Sequence, residues 1–419
     1  MTLPRMVILT DLARVRGGAA RVAMDEARAM AARGVGVTVF AGDDGGERIP
    51  GVETVALGLS RLRDRPRLRV AVDGIWNREA SRALSRWIAA HDTPRTIYHL
   101  HGFMQTFSPS VMAALGPVAA RVIVQAHDYF LACPNGAFFD YRHEKICNLV
   151  PLGAACLMRN CDKRGRAEKA WRVLRHLAMR GARRRLLRKA TVVLPNAAMD
   201  ARLRPAISGA RVRAIANTAR PLTTPGTWAP AADAPFLFVG DMHPLKGARD
   251  FCEAGRRAGV PCALVGAGAE AASLARMYPD HRFHGWQDPE GIARIARGAR
   301  ALVMPSRGPE PFGLVIAEAL LAGMPVIVSD SALVASDVIA NGAGLGFPSG
   351  DVAALARAMR RLRVDTALAD RLASRALAAG RALALEPEAW VDAVLDLSRE
   401  LAAGAGAGAA VGAPRPSMA

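Results

Sequence analysis

The sequence is poor in aromatic residues, in lysine and in long apolar runs. Aromatics make up 5% of the 419 residues, so stacking platforms for unpaired bases are scarce and no nucleic-acid partner is expected. No run of about 18 uninterrupted apolar residues occurs, which argues against a spanning helix. The richest window, 313–328, is broken by Glu318 and Pro325. The first apolar run, MVIL at 6–9, is too short for a secretory leader and reads as a strand, so the expected site is the cytoplasm. The first glycine turn, RVRGG at 14–18, lacks the G-x-G-x-x-G fingerprint, which counts against a nicotinamide-dependent enzyme. Six cysteines occur, none in a C-x-x-C pair. Only five of the 56 basic residues are lysine, so a lysine at a motif position carries more weight than an arginine.

What is present is apolar α/β material with uneven charge. Hydrophobic residues are 51% of the chain, and its length exceeds what one core usually supports, so two domains are expected. The net charge is +19. Residues 1–220 hold 37 basic and 17 acidic residues, a net of +20, and the remainder is close to neutral. The densest basic group is Arg180, Arg183, Arg184, Arg185, Arg188 and Lys189. A basic half suits peripheral contact with the anionic inner face of a membrane. A solvated helix face in an arginine-biased chain also accounts for it.

Short apolar runs alternate with helix-period stretches. Strands are predicted at 6–9, 35–40, 96–101, 121–126, 190–194 and 211–216, then at 235–239, 301–304 and 325–328. Residues 218–234 are proline-bearing and aperiodic and read as a linker. The expected organisation is a first domain over 1–217 with a cysteine-rich insert at 130–165, the linker, and a second domain over 235–402 that includes the C-terminal helices. The low-complexity stretch 403–419 is expected to be disordered. Alternating strands and helices imply doubly wound parallel sheets.

The most informative stretch is EPFGLVIAE at 310–318. Pro311 suits a position at or before a helix start, and Gly313 lets a ligand approach the backbone. The helix from Leu314 would present unpaired N–H groups to an anion, with Gly323 near its end and Pro325 beyond. Glu310 stands outside that mouth and Glu318 roughly 7 to 8 Å inside it, at 1.5 Å per residue. By itself the pattern reads equally as two solvated carboxylates. The flanking strands make it a strand–loop–helix–strand unit, with the carboxylate at a strand's carboxyl end, where such sheets bind ligands. A second loop, GDMHPLKG at 240–247, places Lys246 after another strand, within reach of a diphosphate or merely in an exposed turn.

Residues 301–330, ALVMPSRGPEPFGLVIAEALLAGMPVIVSD, resemble the donor-site signature of family 4 retaining glycosyltransferases. The resemblance implies a GT-B fold, two Rossmann-like doubly wound domains facing across a cleft. It implies a nucleotide-diphospho-sugar donor on the second domain, an acceptor on the first, and transfer with retention without a catalytic metal. The acceptor is unspecified, with lipid-linked and polysaccharide acceptors of cell-envelope synthesis both in view. By the same resemblance Glu318 holds the ribose hydroxyls and Glu310 the donor sugar. Lys246, flanked by Gly240 and Gly247, meets the diphosphate together with the amides at Gly313 and Leu314. Gly18 matches the second glycine of a loop beside the donor phosphates. One position departs: the family's arginine in the lysine loop is Asp241 here, a charge reversal, with His243, Arg249 and Arg307 as candidate substitutes.

His127 ends an apolar strand and would point into a crevice, able to orient a hydroxyl or stabilise charge. A buried structural histidine is the plain alternative, and the resemblance favours a catalytic role facing the sugar. Cys133, Cys147, Cys156 and Cys161 lie within 29 residues. A structural zinc, reduced thiols and disulfides all remain open. Two rival functions follow. Asp241 suits a sugar-nucleotide binder without turnover. The basic half with its cysteines suits a zinc protein associated with nucleic acid.

Overall fold

The computed structural model describes residues 3–410 apart from Arg16, Arg65, Ala229 and Ala232. In chain order the first lobe contains β1 (Arg5–Thr10), β2 (Val37–Ala41), β3 (Val52–Ala56), β4 (Thr96–Leu100), β5 (Val122–Gln125), the two-residue strands β6 (Phe139–Asp140) and β7 (Lys145–Ile146), β8 (Thr191–Leu194) and β9 (Arg211–Ala214). The second lobe contains β10 (Phe236–Val239), β11 (Cys262–Val265), β12 (Arg282–Phe283), β13 (Leu302–Met304), β14 (Val326–Ser329) and β15 (Gly344–Phe347). Two parallel sheets result, ordered β3-β2-β1-β4-β5-β8-β9 and β12-β11-β10-β13-β14-β15, and β6 pairs antiparallel with β7 inside the cysteine-rich insert. The doubly wound two-lobe architecture expected from the sequence is therefore present.

Side-chain alternation explains why both sheets are buried on two faces. Successive residues of a strand point to opposite sides. Val7 and Leu9 enter the cluster around Phe40, Tyr98 and Phe107, whereas Met6 and Ile8 enter the cluster on the other face with Met24 and Val39. Phe236 and Phe238 divide from Leu237 in the same way in the second lobe. This double burial produces the continuous apolar runs that made the strands readable.

The C-terminal segment departs from expectation. Helix Pro387–Ala410 follows the second lobe in sequence, yet Trp390, Val391, Val394, Leu395 and Leu401 pack with Met6, Ile8 and Met24 of the first. Its apolar stripe covers a sheet face that the first lobe leaves open, and an Arg33–Asp392 ion pair joins it to helix Gly18–Ala32. Residues 403–410, part of the stretch expected to be disordered, continue this helix. Residues 411–419 lie outside the described residues. The linker is packed as well: Leu222 N–H donates to the Glu318 carbonyl at 2.8 Å.

Candidate functional site

The order of each sheet creates one crevice. In the second sheet the chain leaves β10 toward β11 on one side and later returns to β13 on the other. The loops after β10 and β13 therefore meet at a topological switch point. The first of these loops carries Lys246 and the second Glu310, and the two form an ion pair. Gly247 brings them together. Its φ of 71° lies in the left-handed region, and a Cβ there would stand 1.9 Å from the Pro305 carbonyl oxygen, so only glycine lets the loops approach this closely. Gly240 begins the same loop at the end of β10.

Helix Leu314–Leu321 opens at this crevice. Gly313, at φ 67°, precedes it, and no side chain caps its first amides. Those N–H groups and the positive end of the helix dipole are left for an anion. Glu318, buried further in, accepts a 2.7 Å bond from Arg21 Nη1 of the first lobe. Burial raises the Glu318 carboxyl above its ordinary value against the pull of Arg21. Gly18 lies across from the helix mouth, and a Cβ on it would be 3.1 Å from Leu314 Cδ1. Three contacts thus meet around this one helix, Lys246 with Glu310 before its start, Gly18 with Leu314 at its start and Arg21 with Glu318 within it, and Arg21 was not anticipated from the sequence.

Asp241 is exposed, with His243 Nε2 3.6 Å away. Two of its candidate replacements are already committed. Arg249 donates to Glu270 at 2.7 Å. Arg307 makes a two-pronged pair with Asp250, both bonds 2.6 Å, and also pairs with Glu144 of the insert. His243 is half-buried, and burial lowers its pKa, so at neutral pH it is a poor substitute for an arginine charge.

In the first lobe the switch point lies between β1 and β4. His127 follows β5 and is half-buried, and its Nε2 is 3.0 Å from His101 Nδ1. Behind it, Glu26 bonds His101 Nε2 at 2.6 Å and His99 Nδ1 at 2.8 Å. Burial opposes the Glu26 charge, but the two imidazoles outweigh it and hold the carboxyl down at about 2. Burial and neighbouring His99 hold His101 down to about 4, and burial holds His127 well below the ordinary range. Asp128 beside it is exposed and accepts from the Phe130 amide at 2.8 Å.

The cysteine-rich insert packs onto the second lobe's 305–308 loop, through the Glu144–Arg307 pair and Phe139 against Gly308. All four of its cysteines are free thiols. The buried Lys169 ammonium lies 3.3 Å from Cys161 Sγ and 3.5 Å from Cys156 Sγ, and Cys133 Sγ donates to Asn135. The donor set suits zinc in kind but not in position. Among the described residues no three of these sulfurs lie within 4.8 Å of one another, as tetrahedral ligation requires, and an ammonium stands beside two of them. No described helix is long and apolar enough to cross a membrane.

Comparison with known proteins adds an independent line. Residues 17–218 match the glycosyl transferase 4-like domain, and residues 234–365 match glycosyl transferases group 1. A glycogen synthase of Mycobacterium tuberculosis is 33% identical over 154 residues, and a phosphatidyl-myo-inositol mannosyltransferase of Mycobacterium leprae 36% over 115. These matches cover 34% and 27% of this chain and only 37% and 31% of the relatives' own lengths. In fold the chain is similar to a sucrose-phosphate synthase from Thermosynechococcus elongatus, with TM-score 0.70, 22% identity, and 96% and 100% of the two chains covered. It is also similar to Anabaena HepE in complex with UDP-glucose, with TM-score 0.63, 15% identity, and 95% and 100% covered.

Proposed function

Because the chain belongs to the GT-B glycosyltransferases that join a 4-like first domain to a group 1 second domain, we propose that it moves a sugar from a nucleotide-diphospho-sugar to an acceptor with retention at the anomeric carbon. The observation that carries this reading is the Lys246–Glu310 pair at the mouth of an uncapped helix, with Glu318 inside and Gly18 opposite. Glu318 would take the ribose hydroxyls with the carboxylate oxygen that Arg21 does not occupy. The diphosphate would lie over the Gly313 and Leu314 amides. Its charge competes with Glu310 for the Lys246 ammonium, which frees Glu310 to accept hydroxyls of the donor sugar. Charge developing on the leaving diphosphate is then met by a fixed ammonium and fixed N–H dipoles. Solved structures of the same fold hold UDP and UDP-glucose, which supports a nucleotide-sugar donor.

A thermal-shift screen of nucleotide-sugars tests this. At least one should raise the melting temperature of the wild type and leave Glu318→Ala unmoved. Equal shifts in both proteins would refute the assigned ribose site. Asp241 favours a second reading, a binder without turnover. Release of free nucleotide by the purified protein with acceptor membranes would exclude it.

A lipid-linked acceptor is part of the proposal. Arg180, Arg184, Arg185 and Arg188 are exposed beside exposed Leu174 and Leu177 on and just after helix Arg166–Leu187. Anionic vesicles should sediment the protein at low salt and release it at high salt. Equal sedimentation with neutral vesicles would remove the membrane. Zinc at the four cysteines is proposed on donor chemistry alone, since Lys169 would have to yield its place. About one equivalent of metal per purified chain would support it, and less than about a tenth would end it.

A further inference from the structure

Three imidazoles and one carboxylate form a chain from the core to the cleft, and the hydrogen-bonding rules determine each proton along it. A carboxylate only accepts. His101 Nε2, 2.6 Å from Glu26, therefore carries a proton. His101 is fully enclosed, and burial holds its pKa down to about 4, so at neutral pH it carries this one proton and its Nδ1 is bare. That bare nitrogen is 3.0 Å from His127 Nε2, which must then be the donor. The Nδ1 of His127 has no protein partner among the described residues and is left as a lone pair. His99 completes the count. Its Nδ1 gives the second bond to Glu26, and its Nε2 lies 3.3 Å from the Gln125 amide. Gln125 Nε2 is buried without a partner.

We infer that Glu26 and His101 are positioning residues that lock His127 in the Nε2–H form, so that it meets the donor sugar as a hydrogen-bond acceptor through Nδ1 and not as a cation. The inference rests on the proposed sugar transfer for its purpose but not for its test. Among the described residues the charges that act most on His127 are those of His101, His99 and Glu26, and Asp128 follows it in the chain. Glu26 lies on helix Gly18–Ala32, whose start also presents Gly18 to the second lobe. One helix therefore sets both the glycine contact and the ring's proton.

The experiment uses the full-length protein with ¹⁵N-labelled histidine rings, the His127 signals being those absent from a His127→Gln sample. Long-range proton–nitrogen correlation spectra distinguish the two neutral forms and the imidazolium. The expected result is a single neutral ring protonated at Nε2 and bare at Nδ1 from pH 6 to 8, without any added nucleotide. A proton on Nδ1, an averaged mixture, or an imidazolium within that range would overturn the inference. In Glu26→Leu, which keeps volume and removes the acceptor, the His127 signals should change to a mixture of forms. An unchanged His127 spectrum in folded Glu26→Leu protein would also overturn it. If that variant does not fold, the wild-type spectrum alone decides. Failure of the nucleotide-sugar screen would remove the purpose and leave the ring's state as measured.

Discussion

The two lobes share a design, yet they place their chemistry differently. In the second lobe the polar groups sit on loops at the switch point, within short sequence distance of the strands that position them: Lys246 after β10, Glu310 and Glu318 around one helix start. In the first lobe the polar chain is assembled from Glu26, His99, His101 and His127, residues from one helix and two strand ends, and three of the four are sealed in the core. In the second lobe an ammonium and a carboxylate answer each other at a helix mouth, a pair that the proposed anionic donor would part. The first is built to stay fixed, because its carboxylate is satisfied from within.

The sharpest way to break this contrast is to remove Glu26. Leucine in its place leaves two buried imidazole N–H groups without a partner, at a cost of about 1 to 3 kcal/mol each, seen as a lower midpoint in chemical denaturation. The pH dependence should have a definite sign. His101 has a folded pKa depressed to about 4 from an ordinary 6.5, so its contribution is complete above 6.5. It is lost as the pH falls toward 4, because the unfolded ring takes a proton that the folded ring refuses. Glu26, depressed to about 2 from 4.5, extends the loss to lower pH. Melting temperature should therefore decline below about pH 6.5 in the wild type; in Glu26→Leu the decline should persist, because Glu26 is a group that raises the His101 pKa, and only the loss below about pH 4.5 that belongs to Glu26 itself should disappear.

The second lobe should respond in binding rather than in stability. On the proposed binding mode Glu318→Ala removes two charge-assisted bonds to a ribose, worth roughly 3 kcal/mol together, or about a hundredfold in donor affinity by calorimetry. Lys246→Met should weaken the donor about tenfold, and its remaining affinity should depend less on salt. A variant that changes stability as much as Glu26→Leu without changing affinity would erase the distinction between the lobes. The smallest effect is expected from Arg21→Ala. Arg21 is partly exposed, so losing its pair with Glu318 should cost under about 1 kcal/mol in thermal denaturation.

Legibility in the sequence followed the same division. Most strands of both sheets were readable because double burial makes them plainly apolar. β3, β11, β12 and β15 were not singled out: VETVA at the sheet's edge is half exposed and looks polar, β12 is two residues long, GLGF of β15 is half glycine, and only CALV of β11 is apolar and buried enough to have been read. The helix-mouth motif was readable because its parts are consecutive. Glu26 was not singled out, although a signal existed: it lies four residues from both Val22 and Met30, on the buried stripe of its helix. His99 and His101, two apart around the end of a strand, share a face and could have been paired on that ground. Arg21, Glu144 and Lys169 find their partners 297, 163 and 8 to 13 residues away. The two long-range pairs depend on how the lobes dock, which no local pattern encodes. The last helix crossed to the first lobe for a similar reason, because an apolar stripe specifies that a face is buried but not against what.

The central claim is that one activated sugar is gripped between the second lobe's helix mouth and the first lobe. A crystal structure with the nucleotide-sugar that most raises the melting temperature tests it directly. The account predicts ribose hydroxyls on Glu318, the diphosphate between Lys246 and the amides of Gly313 and Leu314, and the sugar facing His127. A nucleotide bound elsewhere, with the Lys246–Glu310 pair intact, would contradict it.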